Sequence, residues 1–135
     1  MGAWGVRAFE NDSAVDWTYE LTDVDDLSAI ERVFAEVEET GADYLELDVG
    51  ADALAACEVL ARLRGAQGYA DPYTETVDVW VASHPLAPSP ALVAQATAVI
   101  DRVLGPDSEL SELWAEADGS EWREAVDELR GRLLA

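Results

Sequence analysis

PALVAQATAVIDRVLGP, residues 90–106, settles the fold class of this chain. Leu92, Ala96, Val99, Ile100 and Val103 recur at the three- and four-residue steps that gather side chains on one face of an α-helix. Pro90 suits a first helical turn, where its missing N–H is not needed, and Gly105-Pro106 stops the run. Downstream the same period continues. DSELSELWAEADG (107–119) offers Asp107 or Ser108 as a cap and turns Leu110, Leu113 and Trp114 inward. SEWREAVDELRGRLLA (120–135) stacks Trp122, Ala125 or Val126, Leu129 and Leu133.

Upstream, PLAPSP (85–90) is a rigid connector, and TVDVWVASH (76–84) is a short helix with Val77, Trp80, Val81 and His84 on one side. GAQGYADPYTET (65–76) is loop by its glycines and Pro72. ADALAACEVLARLRG (51–65) turns Leu54, Cys57, Leu60 or Ala61, and Leu63 inward. DDLSAIERVFAEVEETG (25–41) does the same with Leu27, Ile30, Phe34 and Val37, and SAVDWTYEL (13–21) with Ala14, Trp17 and Leu21. The expectation is an all-α chain, one domain over residues 1–135, built as a compact bundle of about seven short helices. YLELDV (44–49) alone alternates like a strand and is too little for a sheet. VLARLRG (59–65) echoes VIDRVLG (99–105), which keeps a HEAT-like solenoid as the alternative to an irregular bundle.

Composition narrows the function classes. Half the residues are apolar, which separates the chain from disordered segments despite its charge. There are 29 acids against 8 bases, every base is arginine, and the net charge is −21. Such a chain repels nucleic acid and anionic lipid, so neither is an expected direct partner. No apolar run approaches a membrane span, and the first residues lack the pattern of a secretory signal. The single cysteine, Cys57, sits in an apolar helical run and reads as core. A cytoplasmic protein, monomeric or weakly dimeric, is expected.

The opening MGAWGVRAFENDSAVDW (1–17) resembles the signature M-G-x-W-G-x-x-x-F-x-N-D-x-A-x-D-W of a bacterial family known as domain of unknown function 4259. SELSELWAEADGSEWREAVDELRGRL (108–133) and ALAACEVLARLRG (53–65) are similar to the end and middle of that family. Arg7 departs from the pattern, where a small or uncharged residue is usual. The resemblance implies a small acidic helical protein and brings no mechanism, so function rests on the residues.

FENDSAVDW (9–17) sets Asn11, Asp12 and Asp16 between Phe9 and Trp17. Asn11, Asp12 or Ser13 serves as a helix N-cap, with Ser13 and Asp16 at capping-box spacing. One cap uses one residue, so the alternative is a polar notch of Asn11, Asp12 and Asp16 beside Trp4 and Trp17. Glu58 is a second candidate, a carboxylate inside an apolar helical sector, which requires a partner. It either converges with Glu46 near Arg7, a pair able to do acid–base work or hold a cation, or it forms an ion pair with Arg7, Arg62 or Arg64.

His84, the one histidine, is placed to meet the carbonyls at a helix end, and TDVDD (22–26) lacks the glycine and glutamate of a calcium loop. No phosphate-binding loop, nucleophile elbow or Cys/His cluster is visible, so no catalytic residue, metal ligand or cofactor is expected. YADPYTET (69–76) puts two tyrosines in an acidic loop, either a binding edge or a loop folded back. The leading expectation is a non-enzymatic accessory module that binds a protein, a basic one by charge. The alternatives are a small-ligand binder or enzyme using Asn11/Asp12/Asp16 or Glu46/Glu58, and an acidic mimic of nucleic acid.

Overall fold

A computed structural model describes residues 5–135. Among these residues seven helices follow one another: α1 (Asp12–Thr22), α2 (Ser28–Thr40), α3 (Leu47–Leu63), α4 (Glu75–Ser83), α5 (Pro90–Leu104), α6 (Glu109–Ala115) and α7 (Ser120–Leu134). The described residues contain no strand, only an isolated parallel bridge between Leu45 and Ser108.

α3 organises the bundle. Its residues from Ala53 to Arg62 are all buried, so it has no solvent face over that length. A helix buried on all sides belongs in a core, and the alanines Ala53, Ala55, Ala56 and Ala61 let neighbouring helices approach closely. α3 packs against each of the other six helices. That centre-and-shell arrangement differs from a solenoid, whose repeats touch only their neighbours. The sequence echo is not a structural repeat either. Gly65 ends α3 at φ +88, whereas Gly105 ends α5 in extended backbone, and Arg62 is buried while Arg102 spans surface carbonyls.

Around α3, one continuous core takes Trp17 and Leu21 from α1, Ile30 and Phe34 from α2, and Val99, Ile100 and Val103 from α5. α7 closes it with Trp122, Val126, Leu129 and Leu133. Each fully buried Leu, Ile or Phe contributes about 1.5–3 kcal/mol. Trp80 of α4 is buried too, and its indole N–H donates to the Val24 carbonyl at 3.0 Å.

Helix starts follow the caps. Asn11 Oδ1 accepts from the Ala14 N–H at 2.8 Å, Ser89 caps α5 through Leu92 at 3.1 Å, and Ser108 caps α6. α3 begins at Leu47, four residues before the helical pattern is plain in the sequence. Its start is fixed from outside: Leu45 pairs with the 107–109 backbone, and Glu109 Oε1 takes the Leu47 N–H at 2.8 Å.

Candidate functional site

Asn11, Asp12 and Ser13 open α1, and Leu47, Asp48 and Ala51 open α3. The two helix starts meet, because the Ser13 hydroxyl reaches Asp52 Oδ1 at 2.7 Å. With segment 5–8 above and α6 and α7 alongside, they bound a cavity of about 250 Å³. Trp114 and Trp122 supply an aromatic wall, their rings parallel within 9° at 6.4 Å between centroids. Asn11 and Asp12 therefore do line a notch, but the tryptophans beside it come from α6 and α7. Trp17 is buried in the core, and Asp16 is exposed and outside the cavity. Trp4 lies outside the described residues.

The cap and the notch share residues. Asn11 spends its Oδ1 on the Ala14 N–H, and its amide donates to the Ala8 carbonyl at 3.2 Å. Ser13 is not half of a capping box with Asp16, since its hydroxyl serves Asp52, 39 residues away. Burial pushes the Asp52 carboxyl up to about 7; the fields of Asp48, Glu20 and Glu36 add to the rise, and the Ser13 hydrogen bond opposes it.

Glu46 and Glu58 do not converge. Glu46 is the exposed residue that precedes α3, while Glu58 lies three turns inside it, 1% exposed. Of the strand-like piece 44–49, Leu47, Asp48 and Val49 form the first turn of α3, and Glu46 is left in extended backbone before it, away from Glu58. Glu58 is held by arginines. Arg62 Nε donates to Oε2 at 3.0 Å, and Arg132 of α7 donates to Oε2 at 2.7 Å and to Oε1 at 2.8 Å. Arg62 continues to Asp78 of α4 at 2.6 Å and to the Tyr69 carbonyl at 2.8 Å. Three guanidinium groups, those of Arg7, Arg62 and Arg132, stand 4.3, 4.8 and 5.9 Å from the centre of the Tyr69 ring. Arg7 pairs with Asp71 at 3.9 Å, not with Glu58. Tyr69 thus folds back onto the bundle, and Tyr73, in the same loop, is exposed.

α4 presents the third feature. Val79 is 63% exposed between two surface grooves of about 560 and 450 Å³. The first runs along Asp71, Glu75 and Asp78; the second along Thr22, Glu75 and His84. Tyr73 precedes α4, and exposed Tyr19 sits one turn before Thr22 on α1. Asp71 and Asp78 are paired with arginines, whereas Glu75 has no partner among the described residues. His84 stacks on Trp80, its Nδ1 2.8 Å from the Trp80 carbonyl and its Nε2 2.9 Å from Asp25 Oδ1. The Asp25 hydrogen bond, with the Trp80 carbonyl second, raises its pKa above the ordinary 6.5. Asp26 caps Ser28, so the acidic run is a turn and a helix start. Among the described residues no cluster of histidine, cysteine and carboxylates has the form of a metal site.

Arg132, Asp52 and the Trp114–Trp122 wall escape reading from sequence. Asp52 had one signal, its place four residues after Asp48 on a largely apolar helix. Arg132 had none, since its partner lies 74 residues away.

The family model described as Domain of unknown function (DUF4259) matches residues 2–125, and the chain belongs to that family. No curated protein and no solved structure matches it.

Proposed function

We propose that this member of the DUF4259 family is a non-enzymatic binding module that docks a basic protein on the outer face of α4 and the adjoining end of α1. Val79 carries the reading: an apolar side chain standing 63% exposed between a groove lined by Asp71, Glu75 and Asp78 and a second lined by Glu75 and His84, with Tyr73 and Tyr19 also exposed. Exposed aromatic and aliphatic anchors supply contact energy at interfaces, and charge supplies steering and choice of partner. A net charge of −21 favours a cationic partner at long range.

A binding role also fits the way the polar groups are used. Glu58 is taken by two arginines, Ser13 by Asp52, and His84 by Trp80 and Asp25. None of these pairs converges with another on a shared cavity, which is what acid–base or nucleophilic chemistry needs.

The test is affinity capture from the source lysate with two baits, the native protein and Val79→Arg/Glu75→Arg, washed at low and at high salt. Expected is a protein retained by the native bait at low salt, released at high salt and absent from the variant. Equal retention on both baits would remove docking from α4.

A further inference from the structure

We propose that the cavity beneath segment 5–8 is a binding site for a small amphiphilic ammonium, a protonated primary amine carrying a short hydrocarbon chain. The site lies at the start of α1, about 15 Å along that helix from the α4 face, and the inference stands apart from protein docking there.

Size sets the first limit. About 250 Å³ falls just under the usual 300–1,000 Å³ of small-molecule pockets, so one short chain fills it. Wall chemistry sets the second. Leu47, Ala51, Leu54 and Leu110 line it together with Trp114 and Trp122, an apolar surface suited to a hydrocarbon. Indole faces also attract a cation brought near them.

Charge decides the head group. Asp12 and Asp48 line the cavity from its exposed side, and neither carboxylate has a counter-ion or hydrogen bond from the described residues. Arg7, the only base among the described residues of the lining, has its guanidinium over Tyr69 and beside Asp71. The opposing argument is that α1 and α3 both begin here, and helix N-termini favour anions. Each terminus is worth about half a positive charge, against a full negative charge on each aspartate. Its exposed N–H groups are also partly consumed: Asn11 holds that of Ala14 and Glu109 that of Leu47. The balance stays negative, and a cation is favoured over an anion of the same shape.

Hexylammonium, hexanol and hexanoate differ in charge at nearly constant size and test this directly. Each is titrated into the full chain at low ionic strength by calorimetry, with indole N–H shifts in NMR locating the contact. Expected is one saturable hexylammonium site per chain, shifts at Trp114 and Trp122, and hexanol and hexanoate at least tenfold weaker. Asp12→Asn/Asp48→Asn should weaken hexylammonium at least tenfold while circular dichroism stays native. Asp48→Asn alone, the milder change, should give an intermediate loss. No saturable site, hexanoate binding as tightly, or affinity unchanged in the folded double variant would each overturn the proposal.

Discussion

Arg132 meets Glu58 end to end, with Nη1 2.7 Å from Oε2 and Nη2 2.8 Å from Oε1, across 74 residues of sequence. This two-point contact ties the last helix to the central one at a carboxylate that is 1% exposed. The same guanidinium also donates to the carbonyls of Ala66 and Gln67 and, through Nε, to Glu128. One side chain therefore fixes α7, α3 and the loop after α3 together.

Removing Arg132 leaves Glu58 in the core with Arg62 alone, and its Oε1 without a donor. Loss of one partner from a buried ion pair costs about 3–5 kcal/mol. Arg132→Met should lower stability by that amount in urea unfolding, and Arg132→Lys should fall between, because an ammonium cannot match both oxygens. A cost for Arg132→Met near that of an exposed ion pair, below about 1 kcal/mol, would show that Arg62 alone satisfies Glu58.

Gly68 bears on the same arginine. Its φ is +74, and a Cβ built there would stand 2.6 Å from Arg132 Nε. Gly65 has φ +88 with open space around it, so Gly65→Ala carries backbone strain alone, about 1–2 kcal/mol. Gly68→Ala adds displacement of a guanidinium that four partners hold, and should cost clearly more. In an Arg132→Met background the difference between the two glycine variants should shrink, a coupling that a double-mutant cycle measures.

What the sequence makes legible follows from interaction range. Ile30, Phe34 and Val37 declare α2, and Pro90 declares the start of α5, because period and first-turn preference are local. The start of α3 is not legible, since Leu47 gains its helical N–H partner from Glu109, 62 residues on. The notch is half legible. Asn11 and Asp12 are readable as polar groups without an obvious duty, but Trp114 and Trp122 reach them only through the packing of α6 and α7. Glu58 signals from sequence that it needs a cation, and Arg62 at i+4 is in local reach. Arg132 is visible only once α7 has docked.

His84 offers a local reporter for the α4 face. As the one histidine it gives a single imidazole titration by NMR. Its pKa is raised by Asp25 first and the Trp80 carbonyl second, so the midpoint should lie above 6.5. A raised folded pKa means that its stabilisation is complete below 6.5 and fades as pH rises through the folded value. Asp25→Asn should move the midpoint down, and added salt should do so in part, because the Asp25 carboxylate is 97% exposed. A midpoint unmoved by Asp25→Asn would leave the Trp80 carbonyl as the controlling contact.

Asp52 works with the same sign on a carboxyl. Burial raises it from 3.8 to about 7, so the folded chain favours its protonated form. The stability it contributes is complete below pH 3.8 and lost as pH rises through about 7. Asp52→Asn keeps an acceptor for the Ser13 hydroxyl and cannot ionise, so it should stabilise the protein at pH 8 and change little at pH 4. The carboxyl is partly exposed and solvent screens it, so the gain at pH 8 should be about 1 kcal/mol or somewhat more. The chain carries 29 acids, and the other carboxyls titrate over an overlapping range, so a melt of the native protein alone cannot isolate this group. The difference between variant and native melts can, because every other carboxyl is common to both. A difference that grows between pH 4 and pH 8 places the ionisation at Asp52. A constant difference would mean that the carboxylate is hydrated well enough to titrate normally, and that the Ser13 contact outweighs burial.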